Sequence, residues 1–179
     1  DFDPQGNASS GLGLEREDIE NTVYDLLTEE VTFEECRIAE IQKNLDILPS
    51  DMNLAGAEIE FQEIEDKEKL LRSYLEKIKD DYDFILIDCP PSLNILTINA
   101  LTAADTVLVP IQCEYYALEG LGQVLKTVDL VKRKLNPGLE LEGVVFTMYD
   151  ARTNLSLEVV ENVKSNLNRT IYKTIIPRN

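Results

Sequence analysis

The sequence of 179 residues contains no histidine. This absence excludes histidine-ligated metal sites, Ser–His–Asp triads and histidine acid–base catalysis. Cysteine is also scarce: Cys36, Cys89 and Cys113 lie far apart and form no C-x-x-C pair, which indicates a reducing, cytoplasmic compartment. No apolar run approaches the roughly 18 residues that a membrane span needs, so the sequence predicts no membrane contact.

Basic residues are half as frequent as acidic ones. The chain has 17 Lys and Arg against 34 Asp and Glu, a net charge of −17. Such a charge argues against nucleic acid as a partner, because polyanions repel each other. The distribution is uneven, however, since residues 126–179 hold nine basic and six acidic residues. DNA therefore stays open as a partner for the C-terminal part.

Short apolar runs alternate with segments of helical periodicity. The runs are continuous, which is typical of strands buried on both faces of a parallel sheet. They lie at 84–88, 106–111, 143–148 and 172–177, with a weaker candidate at 44–49. The helical stripes lie within 17–30, 66–83, 117–135 and 155–167. The alternation predicts an α/β fold: a doubly wound, mostly parallel sheet with helices on both faces, in a single domain over residues 1–179.

The apolar run 84–88 ends in Asp88 and is followed by Pro90-Pro91-Ser92. Ligands of parallel sheets bind beyond the carboxyl ends of the strands. A carboxylate at that position can reach a nucleotide-bound Mg²⁺ through a water molecule. The two prolines stiffen the turn, and Ser92 can cap the next helix. The alternative is an ordinary loop aspartate at the end of a strand.

The chain opens with DFDPQGNASSGLG, residues 1–13. If Asp1 and Asp3 lie at the carboxyl end of a strand, Pro4-Gln5-Gly6-Asn7 forms a tight turn at the ligand edge of the sheet. A carboxylate there can orient an attacking water. The alternative is a mobile polar terminus, which the composition of this stretch alone favours.

Five segments together carry a family resemblance. They are DFDPQGNASSGLG, YDFILIDCPPSLNILTINAL, VLVPIQCEYYALEGLGQ, GVVFTMYDARTNLS and YKTIIPRN. In this order and at this spacing they resemble the ParA/Soj chromosome-partitioning ATPases, which belong to the deviant Walker-A class that also contains MinD. The resemblance extends over essentially the whole chain and is weakest around residues 28–66. It implies a P-loop NTPase-like fold and hydrolysis of ATP with Mg²⁺.

The resemblance also implies roles for residues of the two acidic motifs. Asp3 would position or activate the hydrolytic water, and Pro4-Gln5-Gly6 would form part of the nucleotide site. Asp88 would be the Mg²⁺ partner, through a water. The loop Pro90-Pro91-Ser92 resembles a switch that senses the γ-phosphate.

Further roles are implied for the C-terminal part. Arg152 matches an arginine that the family uses for sequence-independent DNA binding by the ATP-bound homodimer. Pro177 and Asn179 match contacts to the adenine base. The resemblance further implies a ParB-type partner that stimulates hydrolysis, and a cytoplasmic, nucleoid-associated protein.

The resemblance is incomplete. The family's phosphate loop, K-G-G-x-G-K-T, does not occur in the sequence. Neither does the arginine-containing segment with a C-terminal helix that follows "PRN" in the family. We therefore expect the chain to be an internal fragment that by itself does not bind or hydrolyse ATP appreciably.

Two alternatives remain at this point. One is a MinD-like cell-division ATPase that acts on the membrane. The other is a non-catalytic α/β signalling module, such as a receiver phosphorylated on Asp88. A receiver also needs a lysine at a later strand end, and the stretches 106–114 and 143–150 contain none.

Overall fold

The computed structural model describes residues 1–61, 64–114, 117–167 and 169–178, without the side chain of Glu58. The chain divides into two compact units, Asp1–Ala103 and Ala104–Asn179. The first unit has 25 acidic and eight basic residues, whereas the second has nine of each. The negative charge of the chain therefore resides in the first unit.

The first unit is mainly helical and contains one small antiparallel hairpin. Its helices are α1 (Asn7–Gly11), α2 (Val23–Leu27), α3 (Phe33–Cys36), α4 (Ala57–Glu60), α5 (Leu70–Leu75) and α6 (Ile95–Ala103). The hairpin consists of β1 (Ile38–Gln42) and β2 (Leu45–Ile47). Single 3₁₀ turns lie at Arg16–Asp18, Met52–Gly56, Lys67–Lys69 and Lys79–Asp81.

The core of the first unit gathers apolar side chains from the opening stretch and from four of the helices. Its buried members are Phe2, Val23, Leu27, Leu54, Ala57, Phe61, Leu71, Leu96 and Ala100. A buried polar residue fixes α6 against α5: Asn99 accepts from the amide of Leu71 at 3.2 Å and donates to the carbonyl of Lys67 at 2.8 Å. These bonds satisfy an amide that would otherwise be costly to bury.

The second unit has the β–α–β–α–β order predicted for an α/β sheet. It consists of β3 (Thr106–Gln112), α7 (Ala117–Lys134), β4 (Glu140–Tyr149), α8 (Asn154–Asn166) and β5 (Ile171–Pro177). The three strands are parallel in the order β3-β4-β5. β4 lies between the other two strands, and its residues Val144 and Phe146 are completely buried. The α/β prediction is therefore confirmed.

The structure confirms some of the individually predicted helices and strands and shortens others. Strands β3, β4 and β5 and helices α7 and α8 match the predicted ranges closely. The run 44–49 contains β2, which pairs antiparallel in a hairpin. The predicted helix within 17–30 shortens to α2 and a 3₁₀ turn, and that within 66–83 shortens to α5 with flanking 3₁₀ turns.

The predicted strand at 84–88 is wrong. Residues 84–90 form no regular element, and the side chains of Phe84 and Leu86 are 85% and 88% exposed. A strand requires a partner with which to share its backbone hydrogen bonds. Among the residues that the structure describes, no segment forms a ladder with this run, although Ile87 and Cys89 pack against the core of the first unit. No helix within the described ranges is long and apolar enough to cross a membrane.

Candidate functional site

The opening stretch folds into a tight turn. The amide of Gly6 donates to the carbonyl of Asp3 at 2.9 Å, and the amide of Gln5 donates to Asp3 Oδ1 at 3.0 Å. Gly6 has φ +66°, and a Cβ at this position would lie 2.9 Å from the carbonyl oxygen of Ser50. Glycine is required here for both its conformation and its size. The predicted turn at Pro4-Gln5-Gly6 is therefore present, and Gly6 precedes α1 directly.

Asp1 and Asp3 have different surroundings. The Asp1 carboxylate accepts from the amide and the hydroxyl of Ser9, both at 2.8 Å, and from the amide of Asp3 at 3.2 Å. Asp3 is 9% exposed, and its Oδ1 accepts from Gln5. No donor within the described ranges reaches Asp3 Oδ2, so this oxygen can accept a further hydrogen bond.

The two acidic motifs lie side by side. The amide of Phe2 donates to the carbonyl of Asp88 at 2.8 Å. Burial, and after it the negative charge of Asp88, raises the pKa of Cys89 to about 11, and Asp3 contributes in the same direction. Asp88 is exposed, unlike Asp3. The structure thus brings together a buried and an exposed carboxylate that are far apart in sequence.

The loop after Asp88 leads into α6. Pro90 is half-buried, whereas Pro91 and Ser92 are exposed. The prediction that Ser92 caps the next helix is wrong, because the side chain of Asn94 accepts from the first amides of α6. Asn94 stands immediately before Ile95, so its oxygen lies within reach of those amides, while Ser92 is too far back along the chain. Ser92 supplies only its carbonyl, to the hydroxyl of Thr97.

Acidic residues are abundant, but they form no preassembled metal cage. Within the described parts of the chain, no group of three or more Cys, Asp or Glu side chains is arranged to hold a metal ion.

Arg152 lies in the second unit, in the turn between β4 and α8. Its guanidinium forms a two-point ion pair with Asp150, with Nε–Oδ1 at 2.9 Å and Nη2–Oδ2 at 2.7 Å. The Arg152 side chain is 88% exposed. The hydrogen bonds from this guanidinium, followed by that from the Arg152 amide, hold the pKa of Asp150 well below its usual range. The ion pair with Asp150 thus holds the guanidinium of Arg152 at an exposed position.

The residues predicted to contact the base lie at the end of the chain. Pro177 is the last residue of β5, where it pairs with Tyr149, and it is exposed. The amide of Arg178 donates to the carbonyl of Tyr149 at 3.0 Å, which extends this pairing. Asn179 lies outside the described residues.

Sequence reasoning missed Ser9 and Ser50. Both are almost completely buried, and the amide of Ser50 donates to Ser9 Oγ at 3.2 Å. The available signal was the position of Ser50 directly after the apolar run 44–49, because the other candidate site residues also follow apolar runs.

Comparison with known proteins identifies the family. The protein-family model AAA_31, described as an AAA domain, matches residues 1–141. The chain is 54% identical over 179 residues to "Sporulation initiation inhibitor protein Soj" of Bacillus subtilis, covering 100% of the chain and 71% of that protein. It is 50% identical to "Chromosome-partitioning ATPase Soj" of Treponema pallidum, covering 100% of the chain and 70% of that protein.

A solved structure has the same fold. It is the cobyrinic acid a,c-diamide synthase from Mycobacterium smegmatis, which contains an ATP analogue and magnesium. The TM-score is 0.91 at 36% identity, over 99% of this chain and 72% of the other. The resemblance found in the sequence motifs is confirmed, and the chain belongs to the ParA/Soj family of chromosome-partitioning ATPases, within the P-loop NTPase-like folds.

Proposed function

We propose that the full-length protein is an Mg²⁺-dependent ATPase of chromosome or plasmid partitioning. The observation that carries this proposal is the contact between the two acidic motifs, made by the 2.8 Å bond from Phe2 to Asp88. This bond joins the backbones of two segments, one of which carries the buried carboxylate of Asp3 and the other the exposed carboxylate of Asp88. The name of the Treponema pallidum relative, a chromosome-partitioning ATPase, supports the same activity.

Asp3 is the residue proposed to handle the attacking water. Its Oδ1 is held by the amide of Gln5, which fixes the orientation of the carboxylate plane. Oδ2 can then accept a hydrogen bond from a water and direct it at the γ-phosphate. Phosphoryl transfer depends mainly on positioning and charge stabilisation, so an orienting carboxylate suits the reaction. Pro4-Gln5-Gly6 holds Asp3 at the start of the turn and contributes to the nucleotide site.

Asp88 is the residue proposed to hold magnesium through a water. An exposed single carboxylate fits Mg²⁺, which keeps several waters and takes its remaining ligands from phosphates. The absence of a three-ligand cluster among the described residues agrees with this mode of binding. When bound, Mg²⁺ neutralises charge on the phosphate oxygens. Pro90-Pro91-Ser92 follows Asp88 directly and is proposed to sense the γ-phosphate.

The second unit is proposed to bind DNA and the base of the nucleotide. Arg152 is exposed and can contact a backbone phosphate in the ATP-bound homodimer. Pro177 and Asn179 are proposed to lie against the adenine, and a ParB-type partner to stimulate hydrolysis. We place both units in one nucleotide-binding domain, because the family match over residues 1–141 crosses the boundary at Ala103. Partitioning on the nucleoid in the cytoplasm is favoured over a MinD-like role, since the Treponema pallidum relative is named for chromosome partitioning.

The test is ATP turnover by full-length protein carrying Asp3→Asn. Asparagine retains an acceptor for the Gln5 amide but not the carboxylate, so turnover should fall by about 100-fold or more while ATP still binds. The control is Asp83→Asn, which changes an exposed aspartate. Turnover at the wild-type rate by Asp3→Asn would contradict the proposed role of Asp3, and absence of turnover in the full-length wild type would contradict the proposed function. The 179-residue chain alone contains no phosphate loop, and we expect it to show no measurable turnover.

A further inference from the structure

The turn that carries Asp3 is supported by a chain of buried and partly buried hydrogen bonds. The Asp1 carboxylate binds the amide of Asp3 through Oδ1 and both donors of Ser9 through Oδ2. Ser9 Oγ in turn accepts from the amide of Ser50. Asp1 therefore uses both of its oxygens, for three donors, whereas Asp3 has a donor among the described residues on Oδ1 alone.

Two further contacts join the turn to the segment 48–50. The terminal ammonium nitrogen of Asp1 donates to the carbonyl of Leu48 at 2.9 Å, and the carbonyl of Ser50 lies against Gly6. The segment 48–50 is itself anchored, because the carbonyl of Pro49 accepts from the amide of Val23 at 2.9 Å. The residues at both ends of the Asp3 turn, Asp1 and Gly6, thus contact the segment 48–50.

We infer that Asp1 and Ser9 are positioning residues, which set the orientation of Asp3 through its backbone and do not touch the substrate. This inference rests on the proposed function of Asp3. Ser9 and Ser50 are 2% and 3% exposed, so the hydrogen bond between them is shielded from competing water. Removal of one bond would let the Asp3 turn shift, and a displacement of about 1 Å can reduce the rate about 100-fold.

The Ser9 hydroxyl links the acidic motif to the segment 48–50. Ser9 Oγ is the acceptor of the Ser50 amide and the donor to Asp1 Oδ2, so a single hydroxyl joins the segment 48–50 to the acidic motif. Alanine at position 9 would leave the buried amide of Ser50 without its acceptor. The Asp1 carboxylate would still bind the amides of Ser9 and Asp3. Ser9→Ala is therefore a milder disruption than a substitution of Asp1 itself.

The experiment compares Ser9→Ala and Asp1→Asn with Ser10→Ala in the full-length protein. Ser10 is the exposed neighbour of Ser9, and its hydroxyl reaches only the carbonyl of Asn7 in the same helix. We expect kcat for ATP hydrolysis to fall about 10- to 100-fold in the first two variants, with the Kd for ATP changed less than about 3-fold. Ser10→Ala should match the wild type. Ser9→Thr, which restores the hydroxyl, should recover a larger kcat than Ser9→Ala.

Different results separate this inference from the proposed function. If Asp3→Asn abolishes hydrolysis while Ser9→Ala and Asp1→Asn retain the wild-type kcat, the positioning role is wrong and the function of Asp3 stands. If Asp3→Asn itself retains the wild-type activity, the proposed role of Asp3 fails and this inference fails with it, whereas absence of ATP turnover in the full-length wild type would overturn the proposed function. A parallel loss of ATP affinity and kcat in Ser9→Ala would indicate a general structural role and would also overturn the inference. Should Asp1→Asn not fold, Ser9→Ala decides, because it keeps the carboxylate.

Discussion

The amide of Phe2 donates a hydrogen bond to the carbonyl oxygen of Asp88 at 2.8 Å. Phe2 is 2% exposed and belongs to the core, so its backbone is held firmly in place. The residues on either side, Asp1 and Asp3, then take opposite roles: one carboxylate is engaged by neighbouring donors, and the other keeps an oxygen available for a further hydrogen bond.

The first prediction concerns Asp88. Asp88→Asn in the full-length protein should raise the Mg²⁺ concentration needed for half-maximal ATP turnover by about 10-fold or more, because a carboxylate that acts through a metal-bound water contributes about that much. Turnover measured against Mg²⁺ concentration checks this. Asp83→Asn, a nearby exposed aspartate, should leave the titration unchanged. An unaltered titration in Asp88→Asn would remove Asp88 from the magnesium site.

The second prediction concerns the glycine of the turn. Gly6→Ala should destabilise the protein by about 1–3 kcal/mol, since alanine is strained at φ +66° and its Cβ would meet the Ser50 carbonyl. Urea unfolding measures the change. The control is Gly11→Ala, where a Cβ would meet no atom within 4 Å. Equal stability of the two variants would contradict the close approach of Gly6 to Ser50.

The third prediction concerns the ion pair between Asp150 and Arg152. Arg152→Ala should weaken DNA binding and reduce the slope of log affinity against log salt by about one, as expected for the loss of one phosphate contact. Asp150→Asn should strengthen binding, because a phosphate would no longer compete with the Asp150 carboxylate for the guanidinium.

Fluorescence anisotropy with a DNA duplex, repeated over a series of salt concentrations, measures both effects. Glu161→Gln is the charge-matched control for Asp150→Asn, since it removes one exposed negative charge from α8. If Asp150→Asn and Glu161→Gln increase affinity equally, the effect is one of net charge and not of the ion pair.

The fourth prediction concerns thiol reactivity. Burial raises the pKa of Cys36 to about 12 and, together with Asp88, that of Cys89 to about 11. The thiolate is the reactive form, and at neutral pH less than about one thiol in a thousand would be ionised at either position. The folded protein should therefore react with iodoacetamide far more slowly than glutathione does, as followed by mass spectrometry. Urea should restore the reaction at both sites, and rapid labelling of native Cys89, which is half-buried, would contradict its raised pKa.

The fifth prediction is a pH dependence of the hairpin β1–β2. The amide of Glu40, then Tyr82 and Arg37, lower the pKa of Asp46 below its ordinary value. A lowered carboxyl pKa in the folded state stabilises the protein at pH values above about 4, and this contribution is lost as the pH falls through the lower folded value. Asp46→Asn should flatten the stability profile below about pH 5, measured by urea unfolding at each pH. A profile identical to that of the wild type would contradict the role of Asp46.

The strands and the cap of α6 illustrate what a sequence pattern can and cannot predict. The runs at 106–111, 143–148 and 172–177 became strands because each has a neighbour with which to pair. The equally apolar run at 84–88 did not, because apolar character does not supply a partner for backbone hydrogen bonds. The cap of α6 was misassigned to Ser92 for a related reason: Asn94 lies two residues later, and only the position at which the helix begins decides which side chain reaches its amides.

By itself the sequence determined the family, the parallel α/β pattern of the second unit and the candidate residues Asp3, Asp88 and Arg152, because motifs and periodicity depend on local order. Only the tertiary structure decided how the two aspartates of the opening motif differ. Their surroundings depend on Ser9 and on the segment 48–50, and a contact between residues distant in sequence leaves no mark on local composition. The same holds for the bond between Phe2 and Asp88, which forms because Phe2 and the two neighbours of Asp88, Ile87 and Cys89, pack on one core.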